Sequence, residues 1–254
     1  GFERPEKATA QEREHFVTIS RTAAFSRQMS LFFKCYINDI LSGRFESKPA
    51  LAVTVVYSGG DDVFLLGAWN DVVEAALRIQ QAFTVFSCGA LTISAGLALV
   101  DDHYPVRLSA AASGDLEDLA KQEPDKDAVC LFESAHCYGW NTFTGRVLGE
   151  KKAALDAFFG IRDQERGTAF LYRTLDLLRT AQDPKDGKLQ LARYAYLLAR
   201  LEPPRTSPAF GAYRTFADKM YRWALNKTDR AELITAIYLH VYENREGDTD
   251  GTQQ

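Results

Sequence analysis

The chain has 254 residues, of which 46% are hydrophobic and 25% charged, and a net charge of −4. This is the composition of a soluble globular protein with one large or two ordinary domains, and the acidic balance excludes a general attraction to nucleic acid. The four cysteines are too sparse for a disulfide framework and favour a reducing compartment, the cytoplasm. No apolar run reaches the ~18 residues that a membrane span requires, so no contact with a membrane is expected.

The first predicted element is a long amphipathic helix over residues 12–41. Apolar side chains recur there at steps of three, four or their multiples; they are Phe16, Ile19, Ala23, Phe33, Ile37 and Ile40. Two apolar, strand-forming runs follow at 51–57 and 63–69, and the short segment between them contains two glycines. Because glycine tolerates tight turns, this pattern predicts a β-hairpin.

Helices and strands then alternate up to residue 132. Asn70 is expected to cap a helix over 71–86, and the segments 90–100, 106–122 and 128–132 predict a strand, a helix and a strand. With a strand before the first helix, this order would be the β-α-β-β-α-β ferredoxin-like fold that forms the palm of nucleotidyl cyclases and polymerases.

The leading strand of such a palm is expected to be missing, because residues 1–11 are polar and turn-rich. Beyond about residue 145 the pattern is helical, and the breaks at 183–187 and 202–208 contain proline. We therefore predict an α+β chain with two domains. Residues 1–147 form a ferredoxin-like palm without its first strand, and residues 148–254 form an all-helical domain with a polar tail.

The tip of the predicted hairpin carries two adjacent carboxylates, Asp61 and Asp62, directly after Gly59 and Gly60. Neighbouring like charges repel, and a merely hydrophilic turn, the simpler alternative, needs only one of them. Both carboxylates can stay ionised beside Mg²⁺, which binds carboxylate oxygens and keeps other positions for water and substrate phosphates. The motif therefore indicates a site for metal-dependent nucleotidyl transfer.

These segments resemble a known protein family. YSGGDDVFLLGAWNDVVEAA, FSCGALTISAGLALVDDHYPVRLSAAASGDLEDLAK and TISRTAAFSRQMSLFFKCYINDIL are similar to one domain of the large subunit of type III CRISPR effector complexes. This domain is the second palm, most like that of the III-A (Csm) type. LARYAYLLAR and RAELITAIYLHVYENRE are similar to the C-terminal helical domain of the same subunit.

The resemblance implies an activity and a set of partners. The palm would convert ATP into cyclic oligoadenylate second messengers when the complex binds a target RNA through its crRNA guide. Partners would be the small subunit, the guide-end subunit, both RNAs and the rest of the large subunit. That remainder includes a first palm strand with another acidic metal ligand, so the chain is expected to be a fragment or half of a split subunit that needs it for activity.

The resemblance also assigns roles to the hairpin residues. Asp61 and Asp62 would hold Mg²⁺ or Mn²⁺ on the ATP phosphates. Gly59 and Gly60 would let the nucleotide approach the turn, and Ser58 would lie near the adenine.

Two basic residues are further candidates implied by the resemblance. Lys121 lies where related palms place a lysine that binds the triphosphate, and Arg107 is a weaker candidate of the same kind. For Lys121, a solvated lysine at a helix end is the alternative.

Other functions remain open beside this one. A GGDEF-type diguanylate cyclase also uses a glycine turn with acidic residues at the tip of a hairpin, but its substrate is GTP. Its signature has phenylalanine after the acid, where this chain has a second aspartate. A non-enzymatic assembly module with a catalytically incomplete palm is the other alternative. Cys130, His136 and Cys137 lack the second ligand pair of a zinc site, and a buried Cys130 is the better interpretation.

Overall fold

The structure of the chain, a computed structural model, describes residues 18–44, 47–160, 164–181 and 187–246. The fold is α+β, as predicted, and combines short strands with a larger number of helices. Packing divides the chain into two units, Gly1–Ser113 and Gly114–Gln254, and each has buried apolar side chains of its own. The domain boundary predicted between residues 147 and 148 is a different division and stays a prediction.

The first described element of the first unit is a helix whose hydrogen-bonding pattern changes midway. Thr18 caps it, because the Thr18 side chain accepts a hydrogen bond from a backbone N–H of the first turn. Helix α1 (Ile19–Leu31) continues into a π-helical turn (Phe32–Tyr36) and then into helix α2 (Ile37–Leu41). The predicted helix is confirmed over these residues, and its residues 12–17 lie outside the described part of the chain.

The predicted hairpin is confirmed and packs on this helix. Strands β1 (Val53–Gly59) and β2 (Asp62–Gly67) pair in antiparallel register. Alternate residues of both strands contact a buried cluster of helical side chains; they are Val53, Val55, Val63 and Leu65. The cluster includes Phe32, Phe33 and Ile37, so the π-helical turn lies directly under the hairpin.

Helix α3 (Trp69–Phe86) follows the hairpin and adds to the same core. It begins earlier than predicted, because the Val72 N–H already donates to the Ala68 carbonyl. Asn70 therefore lies inside the first turn, Ala68 occupies the N-cap, and the predicted Asn70 cap is wrong. Two shorter elements complete the series, strand β3 (Ala95–Leu97) and helix α4 (Val106–Ala120), whose end belongs to the second unit.

The second unit contains one antiparallel strand pair followed by helices. The pair is β4 (Ala128–Leu131) and β5 (Cys137–Gly139). The helical elements are α5 (Trp140–Thr142), a π-helical stretch (Phe143–Lys152), α6 (Ala153–Phe159), α7 (Gln164–Thr180), α8 (Gly187–Ala199), α9 (Phe210–Leu225) and α10 (Lys227–Glu246). A short 3₁₀ turn, Pro124–Lys126, precedes β4.

Helix α10 lies at the centre of the second core. Its residues Leu233, Ile234, Ala236 and Ile237 are at most 2% exposed. It packs against the π-helical stretch and against α7 and α9, which explains why it is apolar on more than one side. None of the helices in the described ranges is both long and apolar enough to cross a membrane.

Candidate functional site

The turn between β1 and β2 is set by its glycines and has only two loop residues. Gly59 pairs with Asp62, which leaves Gly60 and Asp61 as the loop. Gly60 has a positive φ of 67° and Asp61 does not, the arrangement of a type II′ turn, whose first central position favours glycine. The turn therefore places Asp61 at the tip and Asp62 at the first position of β2.

A β-bulge decides which side chains near the tip face the helices. Val56 is the extra residue, because the pairing register shifts between Val55 and Tyr57. Beyond a bulge, the alternation of side chains changes face. Tyr57 consequently points away from the helices and is 56% exposed, whereas Ser58 points towards them.

Ser58 connects the hairpin to the π-helical turn. Its hydroxyl donates a hydrogen bond to the Phe33 carbonyl. In an α-helix that carbonyl would accept from the Ile37 N–H, but here the Ile37 N–H donates to the Phe32 carbonyl instead. The π-helical turn thus leaves a backbone acceptor that Ser58 uses, and this contact fixes the base of the carboxylate turn.

The two carboxylates lie in open surroundings. Asp61 and Asp62 are both exposed, and within the described part of the chain neither forms an ion pair or a side-chain hydrogen bond. A Cβ added to Gly60 would meet no atom within 4 Å, so there is room for a ligand beside the turn. Asp62 alternates with Val63, which packs on the helices, so its side chain points to the opposite face of the hairpin.

This arrangement fits a hard divalent cation. Two adjacent carboxylates with free space beside them supply oxygen ligands and leave coordination positions for phosphates and water. Among the residues that the structure describes, no group of three His, Cys, Asp or Glu side chains could hold a metal by itself. The turn therefore suits a cation that shares its coordination with a bound ligand, and does not form an all-protein cage.

The structure brings together the five hairpin residues Ser58 to Asp62 but divides the other predicted residues between the units. Arg107 is exposed in the first turn of α4, in the first unit. Lys121 follows α4 directly, belongs to the second unit and forms an ion pair with Glu117 at 2.7 Å. The predicted roles of all these residues stay predictions.

Sequence reasoning missed the two features that orient the turn, the bulge and the Phe33 carbonyl. A signal for the bulge was present, since Val55, Val56 and Tyr57 are three consecutive large residues that a one-face strand does not require. No sequence signal identifies a backbone carbonyl released by a π-helical turn.

Two family models match the chain. The model "Cas10/Cmr2, second palm domain" matches residues 7–130. The model "CRISPR RNA silencing complex Cmr2 subunit, second helical domain" matches residues 156–246. Fold and hairpin thus define a palm domain of the Cas10/Cmr2 class followed by its helical domain.

Relatives and solved structures agree with this class. A protein named "CRISPR system single-strand-specific deoxyribonuclease Cas10/Csm1 (subtype III-A)" from Mycobacterium tuberculosis is 39% identical over 243 residues, 92% of this chain and 29% of that protein. The Csm1–Csm4 cassette in complex with one ATP matches with a TM-score of 0.63 and 25% identity, over 88% of this chain and 32% of that one. The same cassette in complex with cA3 matches with a TM-score of 0.60 and 27% identity, over 86% and 33%.

The chain belongs to the Cas10 family, the large subunits of type III CRISPR effector complexes, and its relatives are of subtype III-A. It spans about 29% of the length of the curated relative described above.

Proposed function

We propose that this chain is the nucleotidyltransferase palm, with its helical domain, of a type III-A effector large subunit that makes cyclic oligoadenylate from ATP. The observation that carries the proposal is the glycine turn with two exposed, unpaired carboxylates and open space beside it. The similar Csm1–Csm4 structures in complex with ATP and with cA3 support a nucleotide as the ligand.

In the proposed reaction, a ribose hydroxyl attacks the α-phosphorus of ATP, a new phosphodiester bond forms and pyrophosphate leaves. The hydroxyl proton passes to solvent, and no redox step is involved. Asp61 and Asp62 would hold Mg²⁺ or Mn²⁺ on the triphosphate through their carboxylate oxygens. When bound, such an ion neutralises the charge that develops on the leaving pyrophosphate.

The remaining hairpin residues would shape the space around the nucleotide. Gly59 and Gly60 present backbone without side chains, which lets a phosphate approach the turn closely. The Ser58 hydroxyl donates its proton to the Phe33 carbonyl, so in a contact with the adenine its oxygen would act as a hydrogen-bond acceptor. Arg107 is exposed and would be able to contact the triphosphate without first breaking an ion pair with any residue that the structure describes.

Lys121 would bind the triphosphate only after its ion pair with Glu117 breaks. Its ammonium group is 2.7 Å from Glu117, and both side chains are partly exposed. Such pairs contribute little, about 0–1 kcal/mol, so a triphosphate could replace the carboxylate at low cost.

The proposed setting is the assembled complex in the cytoplasm. The other effector subunits, the crRNA, the target RNA and the rest of the large subunit would be partners. The first palm strand is part of that remainder and would bring a further acidic ligand, which agrees with a turn that supplies only two carboxylates.

The experiment reconstitutes the complete effector complex with a large subunit that carries this chain, adds target RNA and Mn²⁺, and supplies ATP or GTP. We expect cyclic oligoadenylate from ATP, measured by mass spectrometry. Asp61→Asn with Asp62→Asn should lower the yield by about 100-fold or more, because several kcal/mol of charge stabilisation is lost. Assembly, measured by size-exclusion chromatography, should not change.

Asp101→Asn with Asp102→Asn is the matched control. These two residues are also adjacent and exposed in the first unit, and their substitution changes the net charge by the same amount. The proposal fails if the control pair loses as much product as the hairpin pair. A cyclic dinucleotide from GTP would establish the diguanylate cyclase alternative, and no product from the complete wild-type complex would establish the assembly module.

A further inference from the structure

Two of the four cysteines face each other across the strand pair of the second unit. Cys130 of β4 lies directly opposite Cys137 of β5 in the antiparallel register. Both are free cysteines, and Cys130 is fully buried whereas Cys137 is partly exposed. Their thiols are within hydrogen-bonding contact of each other. The pairing of the strands thus brings two sulfur atoms together, and we call these two residues the dithiol pair.

The position of the dithiol pair in the ladder suits a disulfide bond. The Leu131 N–H donates to the His136 carbonyl at 2.9 Å, so Leu131 and His136 form a hydrogen-bonded pair. Hydrogen-bonded and non-hydrogen-bonded pairs alternate along an antiparallel ladder, which makes Cys130 and Cys137 a non-hydrogen-bonded pair. In such pairs the Cα atoms are about 4.5 Å apart, within the ~4.4–6.8 Å that a disulfide spans. A bond between the sulfur atoms therefore requires only a small movement of the two strands.

The strands that carry the dithiol pair are held in register. The Trp140 N–H donates to the Asp127 carbonyl at 3.1 Å, which continues the ladder beyond the pair. The Tyr138 hydroxyl lies 2.7 Å from the Thr235 hydroxyl of α10 and fixes β5 on the helical core. Neighbouring residues of a strand point to opposite faces, so the dithiol pair lies on the face away from this contact. Because the backbone is already ordered, little conformational freedom is lost when the two sulfur atoms are joined.

Burial keeps both thiols protonated near neutral pH. Burial and the neighbouring Cys137 raise the pKa of the Cys130 thiol to about 12, and burial also raises the pKa of the Cys137 thiol. The thiolate is the reactive form, so oxidation of the pair is slow and requires sustained exposure to an oxidant. Cys137 is the more exposed of the two and should react first. A metal fits this pair less well, because no third His, Cys, Asp or Glu of the described residues joins it.

We infer that Cys130 and Cys137 are a modification site, at which a small disulfide such as glutathione disulfide produces a reversible disulfide bond between β4 and β5. The Cys137 thiolate attacks one sulfur of glutathione disulfide, a mixed disulfide forms, and one reduced glutathione leaves. The Cys130 thiolate then attacks the Cys137 sulfur, the bond between the strands forms, and the second reduced glutathione leaves. The two thiol protons and the two electrons that the chain loses are found in the two glutathione molecules.

The site goes beyond the proposed function, because it does not involve the hairpin carboxylates. The bond closes the short loop between β4 and β5 and so restricts the unfolded chain. The thermal unfolding midpoint of the second unit should therefore rise by roughly 5–10 °C on oxidation and return on reduction. The stability of this unit would then depend on the thiol redox state of its surroundings.

The experiment incubates the large subunit that carries this chain with glutathione disulfide for hours, blocks the remaining thiols with N-ethylmaleimide and digests the protein with trypsin. The tryptic peptide 127–146 contains Cys130 and Cys137 and neither of the other cysteines of the chain. We expect this peptide to lose the mass of two hydrogen atoms and to carry no label. Cleavage after Glu133 by a glutamate-specific protease should leave its halves joined until dithiothreitol is added.

Substitutions separate the two steps of the reaction. Cys130→Ser removes the second nucleophile and should leave Cys137 as a stable glutathione adduct. Cys137→Ser keeps only the buried thiol and should stay unmodified over the same time. Cys130→Ser with Cys137→Ser should show no difference in unfolding midpoint between oxidising and reducing conditions.

Cys35 and Cys88 are the matched control within the chain, because both are free and exposed. They should acquire glutathione separately and form no disulfide with each other. The inference is overturned if peptide 127–146 keeps both thiols after Cys35 and Cys88 have reacted, or if Cys130 and Cys137 end as separate glutathione adducts. An unchanged unfolding midpoint in the oxidised wild type would also overturn it.

Asp61→Asn with Asp62→Asn should be oxidised like the wild type. A failure of the proposed catalytic function is therefore distinguishable from a failure of this inference.

Discussion

Replacement of Lys151 by alanine tests how the second unit is held together. Lys151 is fully buried in the π-helical stretch, and its ammonium group lies 2.7 Å from Glu232 and 3.0 Å from Asp229, both on α10. The ring of Trp223 is a further neighbour, with its centroid 5.1 Å away. Burial alone would lower the pKa of Lys151, but the hydrogen bonds that its ammonium group donates to Glu232 and Asp229 outweigh this effect and raise the pKa.

The cost follows from what the substitution leaves behind. Glu232 is 1% exposed and would keep only its contact with Arg146, at 3.0 Å, as an ionic partner. Loss of one partner of a buried ion pair costs about 3–5 kcal/mol when the other charge stays buried without compensation, and the remaining contact with Arg146 places Lys151→Ala at the lower end, about 3 kcal/mol. For a unit of this size, the midpoint of thermal unfolding should fall by roughly 10 °C.

Calorimetry and chemical denaturation followed by tryptophan fluorescence measure this effect. Lys219→Ala, an exposed lysine of α9, is the control and should change the free energy of unfolding by less than about 0.5 kcal/mol. Lys151→Met with Glu232→Leu should recover part of the loss, because an apolar pair can replace a buried ion pair. A loss below about 1 kcal/mol for Lys151→Ala would refute the reasoning.

Three further predictions concern single side chains. Burial lowers the pKa of His136, so near this pKa the unfolded chain binds more protons than the folded one, and the second unit should lose stability as the pH falls below about 6.5. His136→Phe should reduce this loss of stability, measured by urea titrations at several pH values. An unchanged pH dependence in the variant would contradict the prediction. Burial raises the pKa of the Cys130 thiol to about 12, so iodoacetamide should label the exposed Cys35 and Cys88 faster than Cys130, as measured by mass spectrometry. Equal labelling rates for the three thiols would contradict this prediction. Ser58→Ala leaves the Phe33 carbonyl without its donor and should lower the free energy of unfolding by about 1–3 kcal/mol. Ser58→Thr keeps a hydroxyl and should lose much less, and equal losses in the two variants would contradict the role of this hydrogen bond.

The hairpin was predictable from local pattern, but the orientation of its side chains was not. Two apolar runs around a double glycine determine a tight antiparallel turn, and the observed strands agree within two residues. The run Val55, Val56 and Tyr57 signals a bulge, but it does not show which of the three is the extra residue. The release of the Phe33 carbonyl depends on the π-helical turn, which helix periodicity does not distinguish from regular α-helix.

The helical stretch that starts at Trp140 is a second feature that local pattern does not show. It begins a few residues before the point, near residue 145, where the sequence pattern becomes helical. Gly145 and Gly149 lower the intrinsic helix propensity of this stretch by about 1 kcal/mol each. Packing outweighs that cost, since Phe143 and Val147 are at most 1% exposed, and tertiary contacts of this kind are not visible in a local window.

The prediction of a buried Cys130 is confirmed, and its partner strand was not predicted. Cys130 lies on β4 directly opposite Cys137 on β5 and is fully buried. Strand β5 has three residues, too few to show an alternating pattern, so only the pairing in three dimensions reveals it.

The most direct test of the central claim is a crystal structure of the assembled large subunit with Mn²⁺ and a non-hydrolysable ATP analogue. We expect an anomalous manganese peak within roughly 2.0–2.3 Å of carboxylate oxygens of both Asp61 and Asp62, with triphosphate oxygens completing the coordination. A nucleotide bound elsewhere, or bound here while both carboxylates face solvent or pair with arginines, would contradict the account.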